Sequence, residues 1–183
     1  ARLGVALAAI SAQRRVQQQA AFVLHHRPFR DSSQILDVLT REHGKLAVVA
    51  RGSRGARSRL KGVLRPFMPL SMSWVIKSDL GTLTGAEVNG APLSLTGEAL
   101  LSGYYVNELV LHFLHRHDPQ PEVFDIYAGT IEALATSGAQ IAAVLRQFEI
   151  GLLRHSGSAL NLEHESGTSS KLDPAGHYDY RVE

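Results

Sequence analysis

Cysteine is absent from the 183 residues of this chain, and tryptophan occurs once. The lack of cysteine excludes disulfide bonds, thiolate nucleophiles and zinc sites built on thiolates, and it is typical of proteins from a reducing cytoplasm. No apolar run approaches the ~20 residues that a membrane-spanning helix needs. With 44% hydrophobic residues, the chain can form one large domain or two small ones. We therefore expect a folded cytoplasmic protein.

Acidic residues are missing from a long stretch in the first half of the chain. Between His43 and Ser78 there are eight basic residues and no Asp or Glu. Five of these charges fall in the Gly- and Ser-rich run at 51–61, which has too few apolar residues to pack. We interpret this run as a mobile basic loop. Because clustered Lys and Arg release counterions from a polyanion, the loop is a candidate for sequence-independent nucleic-acid binding.

The charge is also divided unevenly along the whole chain. Residues 1–78 carry a balance of +11, whereas residues 79–183 carry −9. Scattered charges usually form a solvated face. A stretch of 36 residues without an acid favours nucleic acid over that ordinary explanation.

Two hydrophobic periods divide the sequence. Strand-like segments lie at 20–24, 35–40, 46–50, 68–76 and 82–88, with apolar and polar residues alternating most clearly in the fourth. Five short strands beside a basic run are typical of the five-stranded barrel of an oligonucleotide-binding (OB) fold. We therefore predict an α+β protein, with an OB-fold β-barrel at 20–92 followed by a helical domain at 93–183.

Helical spacing begins after Pro92. Thr96 is a candidate N-cap for a first helix that runs to about His115, a second helix starts near Pro119 or Pro121, and a third ends before Gly157. We interpret the apolar stripes of these helices as core. The segment at 178–182 resembles half of a hairpin, which suggests that the chain is truncated.

The first residues are the least informative. Residues 2–12 resemble a short secretory signal, but cleavage there would leave Arg14 and Arg15 just inside the mature chain. We therefore expect residues 1–19 to be a poorly ordered N-terminal extension.

Catalytic motifs are missing. The chain has no phosphate-binding loop ending in Gly-Lys-Ser/Thr, no Gly-x-Ser-x-Gly elbow and no His-Glu-x-x-His pair. His112, His115 and His117 lie near the end of a helix, where solvated histidine is favourable and a shared metal is the less common explanation. We expect neither an enzyme nor a metal site.

Exposed aromatic rings are a second possible contact with nucleic acid, because bases stack on them. Trp74 lies on the apolar face of its strand, which favours a core position. Phe29 and Phe67 follow prolines near basic residues, so they are the better stacking candidates, with core packing equally compatible.

Seven short segments, in order, resemble the RecO family of bacterial DNA repair and recombination mediators. They are 37–45 (Asp-Val-Leu-Thr-Arg-Glu-His-Gly-Lys), 50–54 (Ala-Arg-Gly-Ser-Arg), 58–62 (Ser-Arg-Leu-Lys-Gly), 64–67 (Leu-Arg-Pro-Phe) with 69–70 (Pro-Leu), 81–87 (Gly-Thr-Leu-Thr-Gly-Ala-Glu), 105–109 (Tyr-Val-Asn-Glu-Leu) and 146–149 (Arg-Gln-Phe-Glu). None is specific alone, but the ordered series spans most of the chain. Some members of the family carry a four-cysteine zinc ribbon near 155–180, and this chain has no cysteine there.

The resemblance implies a function and partners. It implies binding of single- and double-stranded DNA, annealing of complementary strands, and loading of the RecA recombinase onto DNA coated by single-strand binding protein, without a cofactor. The implied partners are RecR and the acidic C-terminal tail of the single-strand binding protein, and the implied location is the nucleoid. The family also continues beyond the position of Glu183.

The predicted site residues follow from the charges. The expected phosphate-contacting residues are Arg27, Arg30, Lys45, Arg51, Arg54, Arg57, Arg59, Lys61 and Arg65. The arginines of the helices, Arg116, Arg146 and Arg154, are the candidates for binding the acidic tail. Two alternatives stay open at this point: an RNA-binding OB protein of translation or ribosome assembly, and a metalloprotein that uses the histidines.

Overall fold

Five strands form a closed barrel in the first half of the chain. The computed structural model describes residues 14–76, 79–136, 140–156, 164, 170–173 and 176. The strands are β1 (Arg14–Phe29), β2 (Ser33–Thr40), β3 (Gly44–Ala50), β4 (Leu70–Ile76) and β5 (Leu80–Val88). Their order around the barrel is β1-β2-β3-β5-β4. Neighbouring strands are antiparallel except β3 and β5, which are parallel. This OB-like barrel confirms the predicted fold.

The first strand begins at Arg14, six residues earlier than predicted. Its first half pairs with β4 and its second half pairs with β2, so β1 is the strand that closes the barrel. The early residues are mostly exposed and polar, which hides the strand from a hydrophobic pattern. Residues 14–19 therefore belong to the barrel, and residues 1–13 lie outside the described residues.

Both faces of β1 are buried around its centre. Ala21 and Val23 point into the barrel, where they pack in the cluster that contains Trp74. Phe22 and Leu24 point outward, into a second cluster shared with the helices. A strand covered on both sides has no polar face, so its sequence is a short continuous apolar run rather than an alternating one.

Three helices follow the barrel, and their buried residues share a cluster with Phe22 and Leu24 on the outward side of β1. The helices are α1 (Gly97–Phe113), α2 (Pro121–Thr136) and α3 (Ile141–His155). Thr96 is the N-cap residue, as predicted, although its side chain makes no capping hydrogen bond. The hairpin predicted at 178–182 lies outside the described residues.

The barrel and the helices share one hydrophobic cluster. Phe22 of β1 contacts the rings of Phe124 and Tyr127 of α2, with centroid distances of 5.6 Å and 5.1 Å. On the surface, the guanidinium of Arg41 donates two hydrogen bonds to Asp125, of 3.0 Å and 2.9 Å. The predicted boundary between residues 92 and 93 falls in the segment that connects β5 to α1, and the two regions pack against each other across it.

Candidate nucleic-acid interface

The basic segment, residues 51–65, connects β3 to β4 on the surface of the barrel. It forms consecutive turns: the backbone amide of Gly55 donates to the Gly52 carbonyl (3.1 Å), and the amide of Ser58 donates to the Gly55 carbonyl (3.0 Å). The amide of Lys61 then donates to the Ser58 carbonyl (3.3 Å). The segment is therefore a series of hydrogen-bonded turns, and its mobility stays a prediction.

Uncharged residues anchor this segment to the barrel. Ser53 is 1% exposed, and its hydroxyl donates to the Ala50 carbonyl at 2.9 Å. The backbone amide of Arg54 donates to the Ser32 carbonyl at 2.8 Å. Leu64 is buried in the barrel core. Judged by its charge alone the segment appeared too polar to pack, but one buried hydroxyl and one leucine are enough to fix its ends.

Every basic side chain of the segment is exposed. None of them forms an ion pair with an acid in the described part of the chain. Uncompensated cations in one segment produce a positive potential that attracts polyanions. These cations are Arg51, Arg54, Arg57, Arg59, Lys61 and Arg65.

The turn between β1 and β2 adjoins the basic segment. Arg30 in this turn is exposed, has a positive φ of 54° and places its guanidinium 5.2 Å from the ring centroid of Phe29. The hydrogen bonds that Arg54 and Gly52 donate to Ser32 and Ser33 hold the turn against the segment. The structure therefore brings Arg30 to the edge of the predicted phosphate-binding surface.

A cleft of about 290 Å³ opens where the basic segment meets β1 and β2. Cationic, polar and apolar side chains line it together. The lining residues are His26, Gln34, Ser53, Arg54, Lys61, Leu64 and Arg65.

Lys45 lies away from this surface. It is 8% exposed, and its ammonium donates to the backbone carbonyl of Leu111 near the end of α1. Burial and the neighbouring Arg116 lower the pKa of Lys45, and Asp37 opposes that shift. Lys45 thus connects the barrel to a helix, and the structure does not place it among the exposed cations of the predicted phosphate-contacting set.

Asp37 binds two of the predicted arginines. Its Oδ2 accepts a hydrogen bond from Arg27, and its Oδ1 accepts one from Arg116, both at 3.2 Å. The Nδ1 atom of His25 lies 3.8 Å from Oδ2. Asp37 is buried, while the side chains of both arginines stay half exposed. Arg27 is therefore partly neutralised, and Arg116 is held at the junction of barrel and helices.

The three aromatic candidates differ in how deeply they are buried. Trp74 is fully buried, which confirms its predicted core position. Phe67 is 5% exposed and packs against Tyr104 of α1 at a centroid distance of 5.1 Å, so of its two alternatives the structure shows core packing. Phe29 is partly buried beside Ile35 and Val49, with Arg30 over its ring.

The arginines predicted to bind the acidic tail differ in whether an acid of this chain pairs with them. Arg146 on α3 pairs with Glu149, whose carboxylate also accepts a hydrogen bond from the Tyr105 hydroxyl at 2.8 Å. Arg154 is exposed and has no ion pair among the residues that the structure describes. Large apolar side chains are also exposed on the helices, with Leu101 of α1 at 71% and Ile150 of α3 at 41%.

The histidines do not assemble into a metal centre within the described residues, where no group of three or more His, Cys, Asp or Glu side chains is placed to hold an ion. The Nε2 atom of His112 lies 3.5 Å from Oε2 of Glu108, which is one turn earlier on the same helix. Among the described residues, no helix has the length and apolar character needed to cross a membrane.

Comparison with known proteins identifies the family. Residues 15–91 match the family model for the N-terminal region of recombination protein O, and residues 94–182 match the model for its C-terminal region. Similar proteins named DNA repair protein RecO occur in Nitrosospira multiformis (42% identity, covering 93% of this chain and 70% of the relative) and Aromatoleum aromaticum (39%, covering 95% and 72%). The Burkholderia pseudomallei protein of that name is 50% identical over 81% of this chain and 54% of its own length. The chain thus spans about half the length of several such relatives, and it belongs to the RecO family of DNA repair proteins.

Proposed function

We propose that this chain binds single- and double-stranded DNA through the basic segment, with little sequence preference, as part of DNA repair and recombination. The observation that carries the proposal is the set of six exposed cations that have no ion pair in the described part of the chain. Each cation that meets a phosphate releases condensed counterions, which contributes affinity independent of base sequence. Family membership favours DNA over the RNA-binding alternative.

We further propose that the same surface anneals complementary strands. Two DNA strands repel each other until their charge is neutralised, and phosphate contacts leave the base edges free to pair. Binding and annealing of this kind need no cofactor and no catalytic residue. By family membership, the activity would help to load RecA onto DNA coated by single-strand binding protein, with RecR as a partner.

The helical region is the proposed contact for the acidic tail of the single-strand binding protein. Exposed Leu101 and Ile150 offer apolar surface, and Arg154 offers an unpaired cation among the described residues. Arg146 contributes less charge because Glu149 neutralises it, and Arg116 is engaged by Asp37.

Salt dependence of DNA affinity tests the main proposal. The triple variant Arg54→Ala, Arg57→Ala, Arg59→Ala should reduce the slope of log K against log salt by about 2 on single strands, because each phosphate contact contributes about 0.7. Affinity should fall by the same factor for unrelated sequences, since phosphate contacts carry no base information. The double variant Arg146→Ala, Arg154→Ala on α3 is the control and should keep the slope. A triple variant with unchanged affinity and slope would exclude the basic segment as the binding surface.

Strand annealing tests the second proposal. The chain should accelerate pairing of complementary strands that are already coated with single-strand binding protein, and the triple variant should lose this acceleration. The α3 double variant should anneal bare strands normally but act more slowly on coated strands, because it weakens only the contact with the acidic tail. Equal loss on bare and coated DNA would contradict that assignment of the helices.

A further inference from the structure

The cleft beside the basic segment differs from an open charged surface. It holds about 290 Å³ and is lined by three cationic side chains, Arg54, Lys61 and Arg65, with no acid among its lining residues. A cleft with cations on one side suits an anionic group, because several positive charges then act on that group at close range.

Gln34 adds a side-chain amide to the wall of the cleft. It lies in β2, is 8% exposed and lines the cleft, and its side-chain amide has no hydrogen-bonding partner within the described ranges. Polar side chains are seldom left without a partner, so an amide that lines a cleft and bonds nothing in the described part of the chain is free to bond a ligand there. An amide offers both a donor and an acceptor, which is the combination that the edge of a nucleobase also presents.

The other lining residues complete a site for an aromatic ring. Leu64 is 5% exposed and supplies an apolar wall, and the imidazole of His26 supplies a flat surface. The volume lies near the small end of the range for small-molecule sites, roughly 300 to 1,000 Å³. It therefore admits a single nucleotide and excludes a duplex.

We propose that this cleft takes one nucleotide of single-stranded DNA, turned out of the base stack. The phosphate lies among Arg54, Lys61 and Arg65, and the base lies against Leu64 with its edge on the Gln34 amide. This inference rests on the proposed DNA binding and adds a contact that a base-paired strand cannot make, because a paired base must first be extruded at a cost of a few kcal/mol. The chemical class of ligand is a deoxynucleoside monophosphate.

Binding of thymidine monophosphate tests the proposal directly. Isothermal titration of the whole chain should show saturable binding of this nucleotide, and binding of inorganic phosphate should be at least tenfold weaker. Gln34→Leu removes the amide without changing charge and should weaken nucleotide binding about five- to tenfold. Lys61→Ala, at an exposed position with no folding role, should weaken it as well. Arg15→Ala removes an equal charge from an exposed position of β1 outside the cleft lining and should leave nucleotide binding unchanged.

A single strand without bases gives a second measurement. If the cleft holds a base, an oligonucleotide composed only of abasic sugar phosphates should bind more weakly than the normal strand of equal length, and Gln34→Leu should abolish that difference. Equal binding of the two strands, or of thymidine monophosphate and inorganic phosphate, would overturn the nucleotide site. The salt slope of the triple arginine variant then decides separately whether the basic segment still binds DNA.

Discussion

The hydroxyl of Tyr127 donates a 2.7 Å hydrogen bond to Oδ1 of Asn107, and Nδ2 of Asn107 donates a 2.8 Å bond to the Leu24 carbonyl. This chain of bonds joins α2, α1 and β1 inside the cluster shared by barrel and helices. Tyr127 is fully buried and Asn107 nearly so. Burial raises the pKa of Tyr127 well above its usual range, so its hydroxyl remains a donor at all ordinary pH values.

Removing one member of this chain should destabilise the whole fold. Tyr127→Phe leaves the Asn107 oxygen buried without its donor, which should lower the free energy of unfolding by about 1 to 3 kcal/mol. Chemical denaturation followed by circular dichroism measures the loss. Tyr105→Phe is the matched control, because its hydroxyl bonds Glu149 at the surface, and it should cost under about 1 kcal/mol. Equal costs for the two variants would contradict the role of the buried chain.

Gly44 is required by a close backbone approach. Its φ is +65°, and a Cβ atom built on it would lie 2.2 Å from the carbonyl oxygen of Asp118. Gly44→Ala should therefore lower the free energy of unfolding by more than the 1 to 3 kcal/mol typical of left-handed strain alone. Gly52→Ala isolates the strain, because Gly52 has a φ of +64° but no atom within 4 Å of its Cβ position. If thermal melts show the same loss of stability in both variants, the close approach to Asp118 does not contribute to the cost of Gly44→Ala.

The individual strands and helices were predictable because each has a strong local pattern. Alternation in β4 and helical spacing in α1 to α3 depend on neighbours in sequence, and the structure places those elements within a few residues of the prediction. The first six residues of β1 were missed because pairing with β4, rather than hydrophobic burial, makes them a strand.

The junction between barrel and helices was not predictable from the charges. Lys45 and Arg116 resembled other basic residues, yet Lys45 reaches the Leu111 carbonyl and Arg116 reaches Asp37. These partners are 66 and 79 residues away in sequence, so no local pattern connects them. Exposed charges such as Arg57 and Arg59 were placed correctly on the surface because nothing in the fold competes for them.

His43 should make stability depend on pH. Its ring lies 5.4 Å from that of Trp74, and burial lowers its pKa below 6.5, with a further contribution from Arg14 and an opposing one from Glu42. Since the unfolded chain binds this proton more tightly, the free energy of unfolding should fall as the pH drops from 6.5 toward the folded pKa. Denaturation curves followed by the emission of Trp74, the single tryptophan, measure this.

His43→Gln should remove that part of the pH dependence. His155→Gln is the control, because His155 is exposed at the end of α3, away from the Trp74 contact, and it should retain the wild-type decrease. If the free energy of unfolding still falls at low pH in His43→Gln, but no longer does so in His155→Gln, His43 is not the group responsible.

Lys45 and Lys61 allow a direct comparison of a buried and an exposed lysine. Both belonged to the predicted phosphate-contacting set, but the Lys45 ammonium binds the Leu111 carbonyl whereas Lys61 is exposed beside the cleft. Methionine keeps much of the aliphatic stem and removes the charge, so Lys61→Met should flatten the single-strand salt slope by about 0.7 and barely change stability. Lys45→Met should leave the salt slope unchanged and alter the free energy of unfolding instead. Fluorescence anisotropy with a labelled oligonucleotide between low and high salt, together with a thermal melt, measures both effects. If Lys45→Met flattened the slope as much as Lys61→Met, Lys45 would have to leave its carbonyl partner to contact DNA, and the phosphate-binding surface would extend to the junction with α1.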